Sequence, residues 1–182
     1  MSVHDDVKKV LITREEIDQR IKELGAQISE EYKDKEITVV VLLKGAAWFA
    51  TDLTRAIDVP VRVEFMVASS YGNGTKTSGN VRIKLDISES IEGKHVLLVD
   101  DIIDSGVTFA AITDVLRQQK PASIKTIALC DKAECRVNGL DADYVGFKIP
   151  DEFVVGFGLD YAGDYRNLPY IGVLKSQVYA HR

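Results

Sequence analysis

Three carboxylates, Asp100, Asp101 and Asp104, surround the apolar pair Ile102-Ile103, and Ser105-Gly106-Val107-Thr108 follows at once. Carboxylates crowded in this way repel one another unless cations or hydroxyl groups lie nearby. The residues after them suit an anion. A helix starting near Ser105 offers free backbone N–H groups to one phosphate, with help from the Ser105 and Thr108 hydroxyls, and Gly106 lets the backbone approach closely. Asp100 and Asp101, at the end of a strand, are placed to accept hydrogen bonds from a sugar diol. The chemistry implied is a phosphate, a sugar beside it, and Asp104 near the reacting centre. The plainer alternative is that Asp104 or Ser105 only caps a helix.

The elements that must hold this segment alternate in type. Thr13-Arg14-Glu15-Glu16 has the form of a capping box, and Ile17, Ile21, Leu24 and Ile28 recur at helical spacing behind it. Residues 37–43 are β-branched and almost wholly apolar, as in a strand covered on both faces. A helix is expected over 46–56, strands over 61–68 and 81–87, and another buried strand over 95–99. A helix over about 105–119 stops before Pro121, and a strand follows over 124–129. Short strands are expected around 144–147, 153–156 and 170–174. This alternation predicts an α/β fold, a twisted and largely parallel sheet flanked by helices. The chain reads as one domain over 1–182, in which the tail around 143–175 forms a small hood over the ligand edge. In such sheets ligands collect beyond the carboxyl ends of the strands, and residues 96–99 deliver the acidic segment there.

The same edge receives other segments. Lys44-Gly45 leaves the 37–43 strand; alone it is a turn with a solvated lysine, but at this edge its N–H groups would suit a second anion. Residues 69–80 hold three glycines and few apolar anchors. They are either a floppy connection or a lid, being longer than most such loops. Lys132 follows a buried strand, with Arg136 four residues on. Phe153 could be ordinary core. His4, His95 and His181 receive no catalytic role.

Composition narrows the classes. The 182 residues are 46% apolar, enough for one sizeable core, and 23 basic residues stand against 28 acidic ones. A net charge of −5 argues against nucleic-acid backbone as the main partner. The apolar run Val39–Leu43 is far too short to span a membrane, and the first residues lack the pattern of a signal peptide. Cys130 and Cys135 are too few for a disulfide scaffold or a zinc site, and Cys130 reads as a core thiol. A cytoplasmic location is expected.

The run Val96-Leu97-Leu98-Val99-Asp100-Asp101-Ile102-Ile103-Asp104-Ser105-Gly106-Val107-Thr108 closely resembles the phosphoribosyl-pyrophosphate signature of the type I phosphoribosyltransferases. Within them, nearly the whole chain resembles the hypoxanthine-guanine phosphoribosyltransferases of the compact bacterial kind. Many members have Glu-Asp where this chain has Asp100-Asp101. The resemblance implies the type I fold and purine salvage: transfer of 5-phosphoribosyl from phosphoribosyl pyrophosphate to N9 of hypoxanthine or guanine, with Mg²⁺. It implies that Asp100 and Asp101 hold the ribose and that Asp104, Ser105, Gly106, Val107 and Thr108 hold the 5-phosphate. Asp104 would be the catalytic group. Lys44, Gly45 and Arg166 would bind pyrophosphate, with a cis peptide at Leu43-Lys44 or Lys44-Gly45. Ser70-Tyr71 would mark the lid. Lys132 would meet the 6-oxo group, Phe153 would stack on the purine, and the main chain at Val154 would read its edge. Asp160 would lie beside the base, and Asp100, Asp101 and Asp160 near the metal. A homodimer or homotetramer is implied too, for which Trp48 and Phe49 are interface or core candidates. Two other readings stay open: a transferase for xanthine or a pyrimidine, and a regulator of the same fold that binds RNA or DNA.

Overall fold

The computed structural model describes residues 2–70 and 81–180, without the side chains of Ser69 and Ser70. After a short 3-10 turn (Val3–Asp6) come strand β1 (Val7–Ile12) and helix α1 (Arg14–Glu31). The expected capping box opens α1: Thr13 Oγ1 accepts from the Glu16 N–H at 3.2 Å, and Glu16 Oε2 accepts from the Thr13 N–H at 2.8 Å. Then come β2 (Ile37–Leu42), α2 (Ala46–Ala56), β3 (Val61–Ser70), β4 (Val81–Leu85), β5 (His95–Ile103), α3 (Val107–Gln118) and β6 (Ser123–Asp131). The rest is β7 (Tyr144–Lys148), β8 (Val154–Val155), β9 (Ile171–Leu174) and the short helix α4 (Ser176–Tyr179).

Six strands form the central sheet in the order β4-β3-β2-β5-β6-β7. All its pairings are parallel except β3 with β4. Every residue of β2 is buried, and the alternation of its side chains shows why. Val39 and Val41 face the core that holds Ile17, Leu24, Phe49 and Leu53 of α1 and α2. Val40 and Leu42 face the core that holds Phe109, Ile112 and Leu116 of α3. A strand roofed on both sides favours apolar residues, each aliphatic side chain contributing about 1.5–3 kcal/mol on burial; Thr38 is the polar exception, buried with its hydroxyl unpartnered among the described residues.

This layering also creates the ligand edge. The chain leaves β2 through α2 on one face and leaves β5 through α3 on the other, while β2 and β5 pair side by side. The crevice beyond their carboxyl ends is the switch point of a doubly wound sheet.

Several local expectations are corrected. The strand expected to end at Val99 continues to Ile103, because Asp100, Ile102 and Ile103 stay in register with Ala128, Cys130 and Asp131 of β6. Asp100 and Asp101 therefore belong to the strand, and only Asp104-Ser105-Gly106 turns. The helix starts at Val107, not near Ser105. Its N-cap is Gly106, with φ 80°, so neither Asp104 nor Ser105 is the cap. Finally, β1 was not anticipated. It pairs antiparallel with β9, which pairs with β8, giving a separate three-stranded sheet. Strand β7, from the start of the tail, joins the central sheet instead.

Candidate active site

The turns after β2 and β5 meet a third segment, from the tail, around a cavity of about 240 Å³. Lys44 and Gly45 come from the turn after β2, Asp100 and Asp101 from β5 itself with Thr108 from the first turn of α3, and Asp160 and Arg166 from the tail. The peptide between Leu43 and Lys44 is cis. Gly45 is buried while Lys44 is exposed. The absence of a side chain at Gly45 is a packing necessity, for a Cβ there would lie 1.5 Å from Oδ2 of Asp101.

The two carboxylates of β5 are half-buried at the floor of this cavity. Their own backbone restrains them: Asp100 Oδ1 accepts from the Asp101 N–H, and Asp101 Oδ1 from the Ile102 N–H, each at 2.9 Å. Desolvation raises the Asp100 carboxyl well above its ordinary range, and the charge of Asp101 raises it further. Burial raises Asp101 as well, opposed by its contact with Asp100, by the Ile102 N–H and by the charge of Arg166. A pair held in this way gains from a cation or from sugar hydroxyls. As a donor set for a hard cation such as Mg²⁺, adjoining carboxylates beside open space fit, provided that water or ligand oxygens complete the shell. Among the described residues, no cluster of three or more acidic, histidine or cysteine side chains forms a ready metal cage.

Asp160 is engaged otherwise. Its Oδ1 pairs with Arg166 Nη2 at 2.7 Å and its Oδ2 accepts from the Gly163 N–H at 2.7 Å. Arg166 also donates from Nη1 to the Gly158 carbonyl at 2.6 Å. The guanidinium is thus pre-oriented at the cavity wall, where a planar fork suits an anion.

The remaining candidates whose side chains are described do not line this cavity. Asp104 is exposed at the start of its turn, next to half-buried Ser105 and buried Gly106. Lys132 is nearly buried, its N–H donates to the Ile103 carbonyl at 2.9 Å, and its Nζ pairs with Asp151 at 3.2 Å. That contact holds the Asp151 carboxyl below its usual range, with Cys135 adding a smaller pull. Phe153 is exposed on one side. Its ring stacks on Tyr179 of α4 at 5.2 Å between centroids and meets Tyr161 edge-on at 5.4 Å. Val154 is buried and paired with Val173. Of the lid pair, Ser70 ends β3 and Tyr71 lies outside the described residues. Trp48 is partly exposed and Phe49 is wholly buried in the core.

Sequence reasoning gave no role to Asp151, Tyr179 or Arg136. The Lys132-to-Arg136 spacing was visible, but the partners that make Arg136 matter come from other segments. Its Nη2 pairs with Asp131 and its Nη1 donates to the Asp104 carbonyl.

Residues 12–162 match the model of the phosphoribosyl transferase domain. The chain is 50% identical over 174 residues to the hypoxanthine-guanine phosphoribosyltransferase of Bacillus subtilis, covering 96% of this chain and 97% of that one. It is also 49% identical over 179 residues to the bifunctional protein TilS/HprT of Listeria innocua, and it spans only 28% of that protein's length. Its fold superposes on the crystal structure of a hypoxanthine phosphoribosyltransferase from Staphylococcus aureus with a TM-score of 0.95 at 48% identity, covering 97% of this chain and 96% of that one. A doubly wound sheet, acids at its switch point and these likenesses agree, and the chain belongs to the phosphoribosyl transferase domain family.

Proposed function

We propose that the chain transfers a 5-phosphoribosyl group from phosphoribosyl pyrophosphate to N9 of hypoxanthine or guanine, yielding the nucleotide and pyrophosphate. The observation that carries this reading is the meeting of Lys44-Gly45, Asp100-Asp101 and Arg166 around one cavity. Lys44-Gly45 and Arg166 supply a pyrophosphate side of this cavity and Thr108, in the first turn of α3, a 5-phosphate side, with the two carboxylates beside them for the diol, which suits a donor bearing all three groups. The near-identity in length with hypoxanthine-guanine phosphoribosyltransferases at about half their residues supports the acceptor.

The roles follow from position. Asp100 and Asp101 accept from the ribose hydroxyls. The N–H groups of the Asp104–Thr108 segment, at the positive end of α3, hold the 5-phosphate. Lys44, the Gly45 backbone and Arg166 hold pyrophosphate. In the reaction the bond from ribose C1 to the pyrophosphate oxygen breaks with its electron pair leaving on oxygen, and N9 supplies the pair for the new bond. The proton lost from purine N7 passes to the Asp104 carboxylate. Lys132 donates to the 6-oxo group, Phe153 stacks on the ring and the Val154 main chain reads its edge; the tail segments over 149–174 with β1 form the hood within a single domain. Asp100 and Asp101 would hold Mg²⁺, and Asp160 would join only by yielding its bond to Arg166. When bound, the ion offsets the charge of the leaving pyrophosphate. The protein acts as a cytoplasmic homodimer or homotetramer. Rates of pyrophosphate release with hypoxanthine, guanine, xanthine and uracil test the acceptor: turnover with the first two supports the reading, and turnover confined to xanthine or uracil replaces it.

A further inference from the structure

The carbonyls of the anion-holding turn are all gripped from one short stretch of chain. Arg136 Nη1 donates to the Asp104 carbonyl at 2.7 Å, the Val137 N–H to the Ser105 carbonyl at 3.2 Å, and Asn138 Nδ2 to the Gly106 carbonyl at 3.0 Å. Three consecutive carbonyls thus meet three consecutive residues. In a trans peptide the C=O of one residue and the N–H of the next point in opposite directions. Fixing the carbonyls of 104–106 on the 136–138 side, with the Ala110 N–H also holding that of Gly106 at 3.0 Å, therefore turns the N–H groups of Ser105, Gly106 and Val107 the other way, where that of Val107 makes a long contact of 3.4 Å with Ser105 Oγ. Those are the N–H groups that a phosphate needs.

The grip is itself anchored. Arg136 Nη2 pairs with the Asp131 carboxylate, and the two side chains are only 6% and 4% exposed. Asp131 ends β6, in register with Ile103 immediately before the turn. Arg136 Nε is buried without a partner among the described residues, which is costly and is offset by what Nη1 and Nη2 reach. The contact with Gly106 is close: a Cβ there would lie 2.6 Å from Asn138 Oδ1 and 2.8 Å from Arg136 Cδ.

We infer that Arg136 and Asn138 are positioning residues for the 5-phosphate, acting through the turn Asp104-Ser105-Gly106 and not on the ligand. This rests on the donor assignment proposed above. It also ties the phosphate site to β6, whose continuation carries Lys132.

The test compares binding of inosine 5′-monophosphate and of inosine, which differ only in the phosphate, to the full chain and its variants. The wild-type protein should prefer the phosphorylated ligand. Arg136→Met should shrink that preference about tenfold or more, the loss expected for charge-assisted hydrogen bonds, while inosine binding stays within about twofold. Arg136→Lys should recover part of it. Asn138→Ala, at an exposed position, should lower the preference several-fold and raise the KM for the phosphoribosyl donor more than it lowers kcat. It decides the matter if Arg136→Met does not fold. An unchanged preference in the folded variants would overturn the inference alone. A wild-type protein with no preference for the phosphate would instead overturn the donor assignment.

Discussion

Gly45 and Asp101 occupy one corner of the active-site cavity, so close that a Cβ on Gly45 would lie 1.5 Å from Asp101 Oδ2. The backbone at Gly45 has φ −60° and ψ −40°, ordinary helical angles that alanine adopts readily. Loss of function in Gly45→Ala must then come from displacing Asp101, not from backbone strain. The variant should keep its secondary structure and melt within a few degrees of wild type, while kcat/KM falls about tenfold or more. Circular dichroism and steady-state rates measure both; wild-type kcat/KM would show that Asp101 has no fixed role.

Asp104→Asn removes a proton acceptor and keeps the shape of the turn. Turnover should fall about 100-fold or more, the usual range for a lost acid–base group, with donor binding changed far less. Single-turnover rates and donor titrations separate the two effects, and near-normal turnover would remove Asp104 from the chemistry.

Lys132 Nζ donates to Asp151 Oδ1 at 3.2 Å. Lys132→Ala should lower the preference for 6-oxopurines over adenine by about tenfold, because a fixed donor then no longer rewards the oxo group. Competition between hypoxanthine and adenine measures this. An unchanged preference places the specificity contact elsewhere.

Far from the site, Glu31 bonds Lys125 and the Tyr144 hydroxyl. The Lys125 contact, then the Tyr144 contact, lowers the Glu31 carboxyl from its ordinary value of 4.5. A depressed carboxyl contributes stability that is fully present above the unfolded value and is lost as pH falls through the folded value. The pair is partly exposed, so the effect is small. Melting curves of wild type and Glu31→Gln should therefore differ near pH 7 and converge as the pH falls through the lowered folded value. A gap that persists in acid would mean packing, not charge, is responsible.

Much of this was legible in the sequence where the signal was local. The capping box at Thr13, the apolar run of β2 and the acids at the end of β5 each declare their element within a few residues. The fold class and the family resemblance followed from them. What could not be read depends on distant partners. Strand β1 has the mostly exposed run Val7-Lys8-Lys9-Val10, and it exists because β9 pairs with it from the other end of the chain. The extension of β5 to Ile103 is fixed by β6, not by its own residues. Nothing local gives Arg136 a role; the fold does, by bringing the Asp104 carbonyl and the Asp131 carboxylate to its guanidinium.

The most direct test of the central claim is product analysis with hypoxanthine, phosphoribosyl pyrophosphate and Mg²⁺. The account predicts inosine 5′-monophosphate and pyrophosphate in equal amounts, and no pyrophosphate when the base is left out. Release of pyrophosphate without base, or no nucleotide in the complete mixture, would contradict it.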